Sequence, residues 1–446
     1  MKRNFLSLTK GNGLKARLIK GAGGLAVLKV INVFLMLSSG VLLARVMGPE
    51  HYGVYAFVLS IVTLLILPAK AGLPTLLVRE TAYNQLKGNW GLLRGLIKLS
   101  GRFVLGYSIF IVIVAWIYAH YGWEGSNTVR NEAFLWALLL VPFLAYTGIR
   151  TGALRGLRWV VSSEMPEQLI RPIIVLICAG LLLLIGRKID AVTAVQINII
   201  AAIVAFLIGT IVLFKALPAP VKHIPPEYTL RPWLASLFPL SIFVGLKLLD
   251  SQVSLILLGV FGSSEEVGLF KVATTGAGLV AFGMTAVNMA MSPHLARLFH
   301  EGNMETLQRM IIVSTRLVAL TSFPVAVAFI FWGETIISFI FGPEYSGAGV
   351  ALAILCIGQL VNASAGPVAT LLNMAGKDRV TVLVSMIALG VNIALGVTLI
   401  PLYGITGAAL SFAVSVSSWN IILMFVAKKQ LGINTYLGAL TGNRSS

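Results

Sequence analysis

The sequence predicts an all-α integral membrane fold of twelve transmembrane helices, and three observations carry that prediction. Of 446 residues, 57% are hydrophobic and only 11% are charged, whereas a soluble domain carries about 25% charged residues. The apolar residues fall in blocks of about twenty, the length that crosses a hydrocarbon core of about 30 Å. The lysines and arginines gather on alternate connections between those blocks.

The blocks place spans at 16–44, 53–78, 91–119, 131–155, 163–186, 190–215, 232–260, 266–297, 305–332, 346–374, 379–400 and 404–429. Each is read as a helix, because a lipid-exposed backbone must satisfy its own hydrogen bonds. The first block runs on past Lys29 to Arg45, too long for the apolar region of a cleavable leader. Pro68, Pro142, Pro172, Pro239, Pro324 and Pro367 fall inside spans, which predicts kinked helices whose freed carbonyls are taken up by neighbours.

With the N-terminus cytoplasmic, 23 of the 34 lysines and arginines fall on the N-terminal tail, the even-numbered connections and the C-terminal tail. Basic residues toward the span ends are counted with the adjoining connection, as Arg150 and Arg155 are with the one after span four; four then fall on the opposite side (Arg45, Arg130, Arg187, Lys188) and seven within spans. Acidic residues show no such bias, which is the form the positive-inside rule takes. The formal net charge of +18 is therefore read as a topology signal and not as a nucleic-acid footprint. It places both termini in the cytoplasm of a cell (inner) membrane protein. Cys178 and Cys356 lie in apolar runs and are read as small buried hydrophobes. No group of Cys, His and carboxylates has metal-ligand spacing, and no cofactor motif is present.

The longest polar connection, ALPAPVKHIPPEYTL from residue 216, carries four prolines and reads as a semi-rigid linker. It divides the chain into an N-lobe (1–215, six spans), a linker (216–231) and a C-lobe (232–446, six spans). The lobes resemble one another. LLARVMGPEHYGVYAFV at 42–58 aligns with ILLGVFGSSEEVGLFKVA at 256–273, with Gly48 on Gly262 and Gly53 on Gly268. Repeats of six spans keep one orientation, and repeat interfaces are where secondary transporters place their substrate.

The charges inside the spans locate the candidate site. They are Lys29, Lys70, Lys98, Arg102, Lys247, Lys271, Arg316 and the acid Asp250. Lys98 and Arg102 lie near a span end, where snorkelling accounts for them. The others fall on polar stripes at helical spacing: Lys247, Asp250, Ser251 and Ser254 in span seven, and Lys271, Thr274, Thr275, Asn288 and Ser292 in span eight. Span two shows Ser60, Thr63 and Lys70, and span one shows Lys29 and Asn32. A charge at the bilayer centre costs about 2.5–3.5 kcal/mol on insertion scales, so such residues face a partner or a wet cavity. Lys247 and Asp250 are open to two readings, an internal ion pair or part of a site. An excess of cations around a cavity suits an anionic guest such as a phosphate or diphosphate. Lys29, Lys70, Lys247, Lys271, Arg316, Asn32 and Asn288 are the candidate substrate-binding residues. Asp250 is the candidate for coupling to H⁺ or Na⁺.

The stretch LLARVMGPEHYGVYAF resembles the span-one/span-two signature of the Wzx-type polysaccharide-unit flippases, of the multidrug/oligosaccharidyl-lipid/polysaccharide exporter superfamily. LLNMAGKDR at 371–379, Asn392, and IPLYGITGAALS at 400–411 resemble the same family's last two spans. The resemblance implies a MATE-like fold of two six-helix lobes around a central cavity lined by spans one, two, seven and eight. It implies no catalysis, but movement of a polyprenyl-diphosphate-linked glycan between leaflets, with membrane lipid and glycan-assembly proteins as partners. Three rivals remain open: an organic-cation exporter of this fold, which calls for acidic cavities; a lipid II-type flippase, which usually carries more spans; and a membrane glycosyltransferase or polymerase. Glu164 and Glu167 are read as a cytoplasmic helix start.

Overall fold

The computed structural model describes residues 14–70, 72–121 and 128–438, and its regular elements are helices. Among the described residues, nine helices are long and apolar enough to cross a bilayer. Two of them, Leu14–Leu65 and Asp378–Leu431, bend at Gly48 and Gly404 and carry two predicted spans each. Leu230–Phe261 takes the seventh span, so every predicted span has its helix. Lys2, Arg3 and Lys10 of the N-terminal basic tail lie outside the described residues.

By internal contacts the chain forms two compact units, one of Met1–Met47 with Ile61–Gly245 and one of Gly48–Ser60 with Leu246–Ser446. Residues 216–231 lie within the first unit, and the boundary runs through spans two and seven.

Within each unit the connections sort by parity, as alternating spans require. In the second unit, Glu344 after span nine lies against Gly48 between spans one and two, and Tyr52 meets Tyr345 edge-on, centroids 6.4 Å apart. Glu266 at the start of span eight accepts a hydrogen bond from the amide of Ile405, between spans eleven and twelve, at 3.2 Å. At the opposite end, Gln308 near the start of span nine donates to the carbonyl of Asn434 (2.6 Å), and Leu437 donates to the carbonyl of Ser364 (3.0 Å). In the first unit, Arg94 donates to the carbonyl of Ile224 (2.6 Å) and Glu227 to that of Gly91 (2.9 Å), joining two even-numbered connections.

Sequence chemistry sets the helix starts. Asp190 accepts from the amide of Thr193 (2.8 Å), Asn303 from that of Thr306 (3.1 Å), and Ser263 with Glu266 forms a reciprocal capping box; each satisfies orphan donors of a first turn. The two sharp bends need glycine: Gly48 has φ 72 and Gly404 has φ 51, values that crowd a Cβ against the backbone.

Small residues set the closest helix crossing. A Cβ on Gly53 would run into the carbonyl oxygen of Ser264, and a Cβ on Gly268 into that of Pro49. Each glycine thus receives the carbonyl four residues before the other. That reciprocity is what two equivalent segments give around a local twofold axis, and these are the glycines aligned between the sequence repeats. Such close approach is the ordinary way helices associate in lipid, where apolar side chains gain nothing over acyl chains.

Helix breaks fall at two of the prolines that the sequence marks, Pro68 and Pro367, while the helix Leu230–Phe261 runs on through Pro239. Span two is interrupted between Leu65 and Leu73, around Pro68, and span ten at Gly366–Pro367. In span nine the non-helical residue is Trp332, not the region of Pro324. Cys178 is half-buried and Cys356 buried, and both are free thiols.

Candidate functional site

In the first unit, the break in span two leaves Lys70 at the end of the short helix Leu67–Lys70, followed by Gly72 at φ 75. Lys70 is half-buried, its stem lying alongside Gly148 of span four. No acid lies near it in sequence, but in the fold Lys70 lies in the field of Glu167 and Glu164 as well as of Arg171 and Arg150. Span five opens with a π turn, Pro166–Ile170. A π turn disturbs the regular ladder, and Asn32 of span one donates to the carbonyl of Gln168 inside it at 2.6 Å.

Glu164 and Glu167 do not start a helix either. Glu164 lies within Val160–Met165 and Glu167 within the π turn. Glu164 pairs with Arg155 and accepts from Gln168 at 2.5 Å. Glu167 pairs with Arg150 at 3.1 Å and with Arg171 at 3.6 Å, and Arg171 reaches Asn198 at 3.2 Å. Arg150 was grouped with the connection after span four. Among the described residues it is instead the bulkiest fully buried side chain, with 1% exposure. It donates to the carbonyls of Ala205 and Phe206 at 3.3 Å each and fits because position 209 is glycine, where any Cβ would strike the guanidinium.

In the second unit, Asp250 is half-buried. Asn392 of span eleven donates to it at 3.5 Å and accepts from Ser254 at 3.0 Å. The side chain of Lys247 lies outside the described residues, so its pairing with Asp250 stays a reading of the sequence. Asp250 lines a cavity of about 160 Å³ together with Gln359, Asn362, Ser385, Ser415 and Trp419. A second cavity, about 170 Å³, shares Asn362 and Trp419 and adds Asn288, Thr370 and Asn420. Asn288, a sequence candidate, accepts there from Thr370 at 3.1 Å. Lys271 is half-buried, and Thr274 and Thr275 turn their hydroxyls back onto its carbonyl at 2.9 and 2.8 Å. Ser60, Ser251 and Ser292 likewise bond to carbonyls of their own turns. The hydroxyls of the polar stripes are therefore largely absorbed by their helices, while the charges and amides are not. Lys29 is half-buried on span one and Arg316 exposed on span nine.

The structure thus brings Asn32 and Lys70 to one charged cluster in the first unit, and Asp250 and Asn288 to adjoining cavities in the second. Sequence reasoning missed the wall amides Gln359 and Asn362. Their signal was two amides at i, i+3 in an apolar span.

The fold matches known transporters. An inward-facing multidrug resistance transporter of the MATE family superposes with a TM-score of 0.76 at 12% identity, over 90% of this chain and 94% of that one. The lipid II flippase MurJ superposes at 0.71 with 15% identity, over 90% and 87%. At these identities the likeness shows the fold: a multi-pass, MATE-like helical membrane protein. A curated relative, the probable flippase AglR of Haloferax volcanii, is 27% identical over 39% of this chain and 37% of its own length. The match therefore spans well under half of that relative. The MatE family model matches residues 239–398, and the model described as polysaccharide biosynthesis protein matches residues 18–299. With that match covering more than half of its length, in agreement with the resemblance read from its span signatures, the chain belongs to the polysaccharide biosynthesis protein family.

Proposed function

We propose that this protein moves a polyprenyl-diphosphate-linked oligosaccharide from the inner to the outer leaflet by alternating access. The observation that carries the proposal is the set of half-buried lysines within its spans, Lys29, Lys70 and Lys271, in a chain of this family. Buried cations are retained in spans only where something uses them, and an ammonium binds phosphate as a point charge. The lysines hold the diphosphate as point charges while the glycan crosses with it and the polyprenyl tail stays in lipid. Asp250, with Asn392 and Ser254 beside it, is the carboxylate that exchanges H⁺ or Na⁺ to drive the cycle. The bias of lysine and arginine supports a cytoplasmic membrane location with both termini inside. Similarity to a probable flippase over 39% of this chain supports the same reading.

An organic-cation exporter fits less well. Glu164 and Glu167 add two acids to the spans, but both are engaged by arginine.

The test uses proteoliposomes carrying a fluorescent prenyl-diphosphate disaccharide. Lys29→Ala and Lys271→Ala should each lower its transfer about tenfold or more, since a hydrogen bond to a charged group contributes about 1.5–3 kcal/mol. Membrane insertion should be unchanged. Wild-type transfer rates in both variants would contradict the cationic-cavity reading.

A further inference from the structure

The two adjoining cavities of the second unit have a chemistry that neither a diphosphate nor a bare ion explains. Among the described residues, their walls carry one ionisable group, the carboxylate of Asp250. A carboxylate on the wall disfavours a diphosphate there. The cavities have volumes of about 160 and 170 Å³, more room than a dehydrated Na⁺ needs, and Asn362 and Trp419 line both.

The polar groups on these walls are of the kind that reads hydroxyls. Asn362 donates to Gln359 at 3.1 Å, which leaves the carbonyl oxygen of Asn362 and the amino group of Gln359 for a guest: an acceptor and a donor side by side. Trp419 is held by its indole donor to Ser385 at 3.1 Å, fixing a flat apolar surface beside them. Paired donors and acceptors with an aromatic plane suit a sugar, whose vicinal hydroxyls each donate and accept and whose C–H face is apolar.

We propose that these neighbouring chambers are the glycan-recognition site, accepting neutral or N-acetylated sugar residues and discriminating against uronic acids through the carboxylate of Asp250 on the wall. The assignment rests on the flippase reading and names the part of the substrate that the lysines do not touch.

The test compares three probes in proteoliposomes: farnesyl diphosphate bearing a neutral disaccharide, the same lipid bearing glucuronic acid as the outer sugar, and farnesyl diphosphate alone. Wild-type protein should move the neutral glycolipid at least tenfold faster than the uronate one. Asn362→Ala should remove most of that preference, while transfer of farnesyl diphosphate alone stays within twofold. Asn362→Gln should restore part of the preference, and thermal unfolding should report both variants folded. Equal wild-type rates for the two glycolipids overturn the proposal without reference to any variant. So does an equal fall for all three probes in Asn362→Ala with loss of Na⁺ dependence, which marks an ion site. Failure of the wild type to move any of the three overturns the flippase reading itself, an outcome distinct from loss of sugar preference alone.

Discussion

Replacing Gly268 or Gly53 by alanine is expected to destabilise the protein strongly. Each new Cβ would be driven into a backbone carbonyl of the facing helix, Pro49 or Ser264. An overpacked side-chain core costs about 1–3 kcal/mol. Here the obstructing atoms are backbone oxygens, so the helices must separate, and the cost lies at or above the top of that range. A control reverses the sign. Gly390, on span eleven, has nothing within reach of a Cβ, so Gly390→Ala should be neutral or stabilise by up to about 1 kcal/mol through helix propensity. Thermal unfolding in detergent checks the three together. Equal melting temperatures for Gly268→Ala and Gly390→Ala would show that the crossing is not close-packed.

The second large effect concerns Arg150. Truncation to alanine leaves Glu167 paired with Arg171 alone, at 3.6 Å, removes the guanidinium's hydrogen bonds to the carbonyls of Ala205 and Phe206, and opens a void against Gly209. Removing one partner of a buried pair costs about 3–5 kcal/mol. Gly209→Ala should mimic it by displacing the guanidinium. By contrast, replacing the pair together, Arg150→Met with Glu167→Leu, should recover much of the loss, because a buried ion pair often contributes little over an apolar pair of the same shape. Unfolding of these variants in detergent decides the matter: an Arg150→Ala protein within about 0.5 kcal/mol of wild type would mean that the guanidinium is solvated and the network is not structural.

The helices were legible in the sequence because a bilayer imposes one length and one hydrogen-bonding solution on every span. The turn glycines were legible too. Gly53 and Gly268 stood out as repeat-equivalent positions before their reciprocal contact was known. Side-chain partnerships were less legible. Lys70 looked unpaired because its acids, Glu164 and Glu167, come from span five, nearly a hundred residues away. Arg150 looked interfacial because an arginine a few residues from a span end usually snorkels; only the space left by Gly209 on span six lets it turn inward. Neutral amides such as Gln359, Asn362 and Asn420 carry no charge to mark them within an apolar run, and in lipid they serve as often for helix packing as for binding. Their convergence is a property of the fold, since they come from spans ten and twelve. The hydroxyl stripes taught the converse, for most of those groups bond to their own helix.

The central claim is that an anionic lipid-linked glycan, and not a drug-like cation, crosses by way of this protein. The most direct measurement places purified protein in liposomes with a prenyl-diphosphate disaccharide in one leaflet and rhodamine 6G inside. Leaflet exchange of the glycolipid is followed by accessibility to an external glycan-modifying enzyme, and dye efflux by fluorescence. The account predicts protein-dependent exchange of the glycolipid and no protein-dependent dye efflux. Dye efflux with a glycolipid that stays in its leaflet would contradict it.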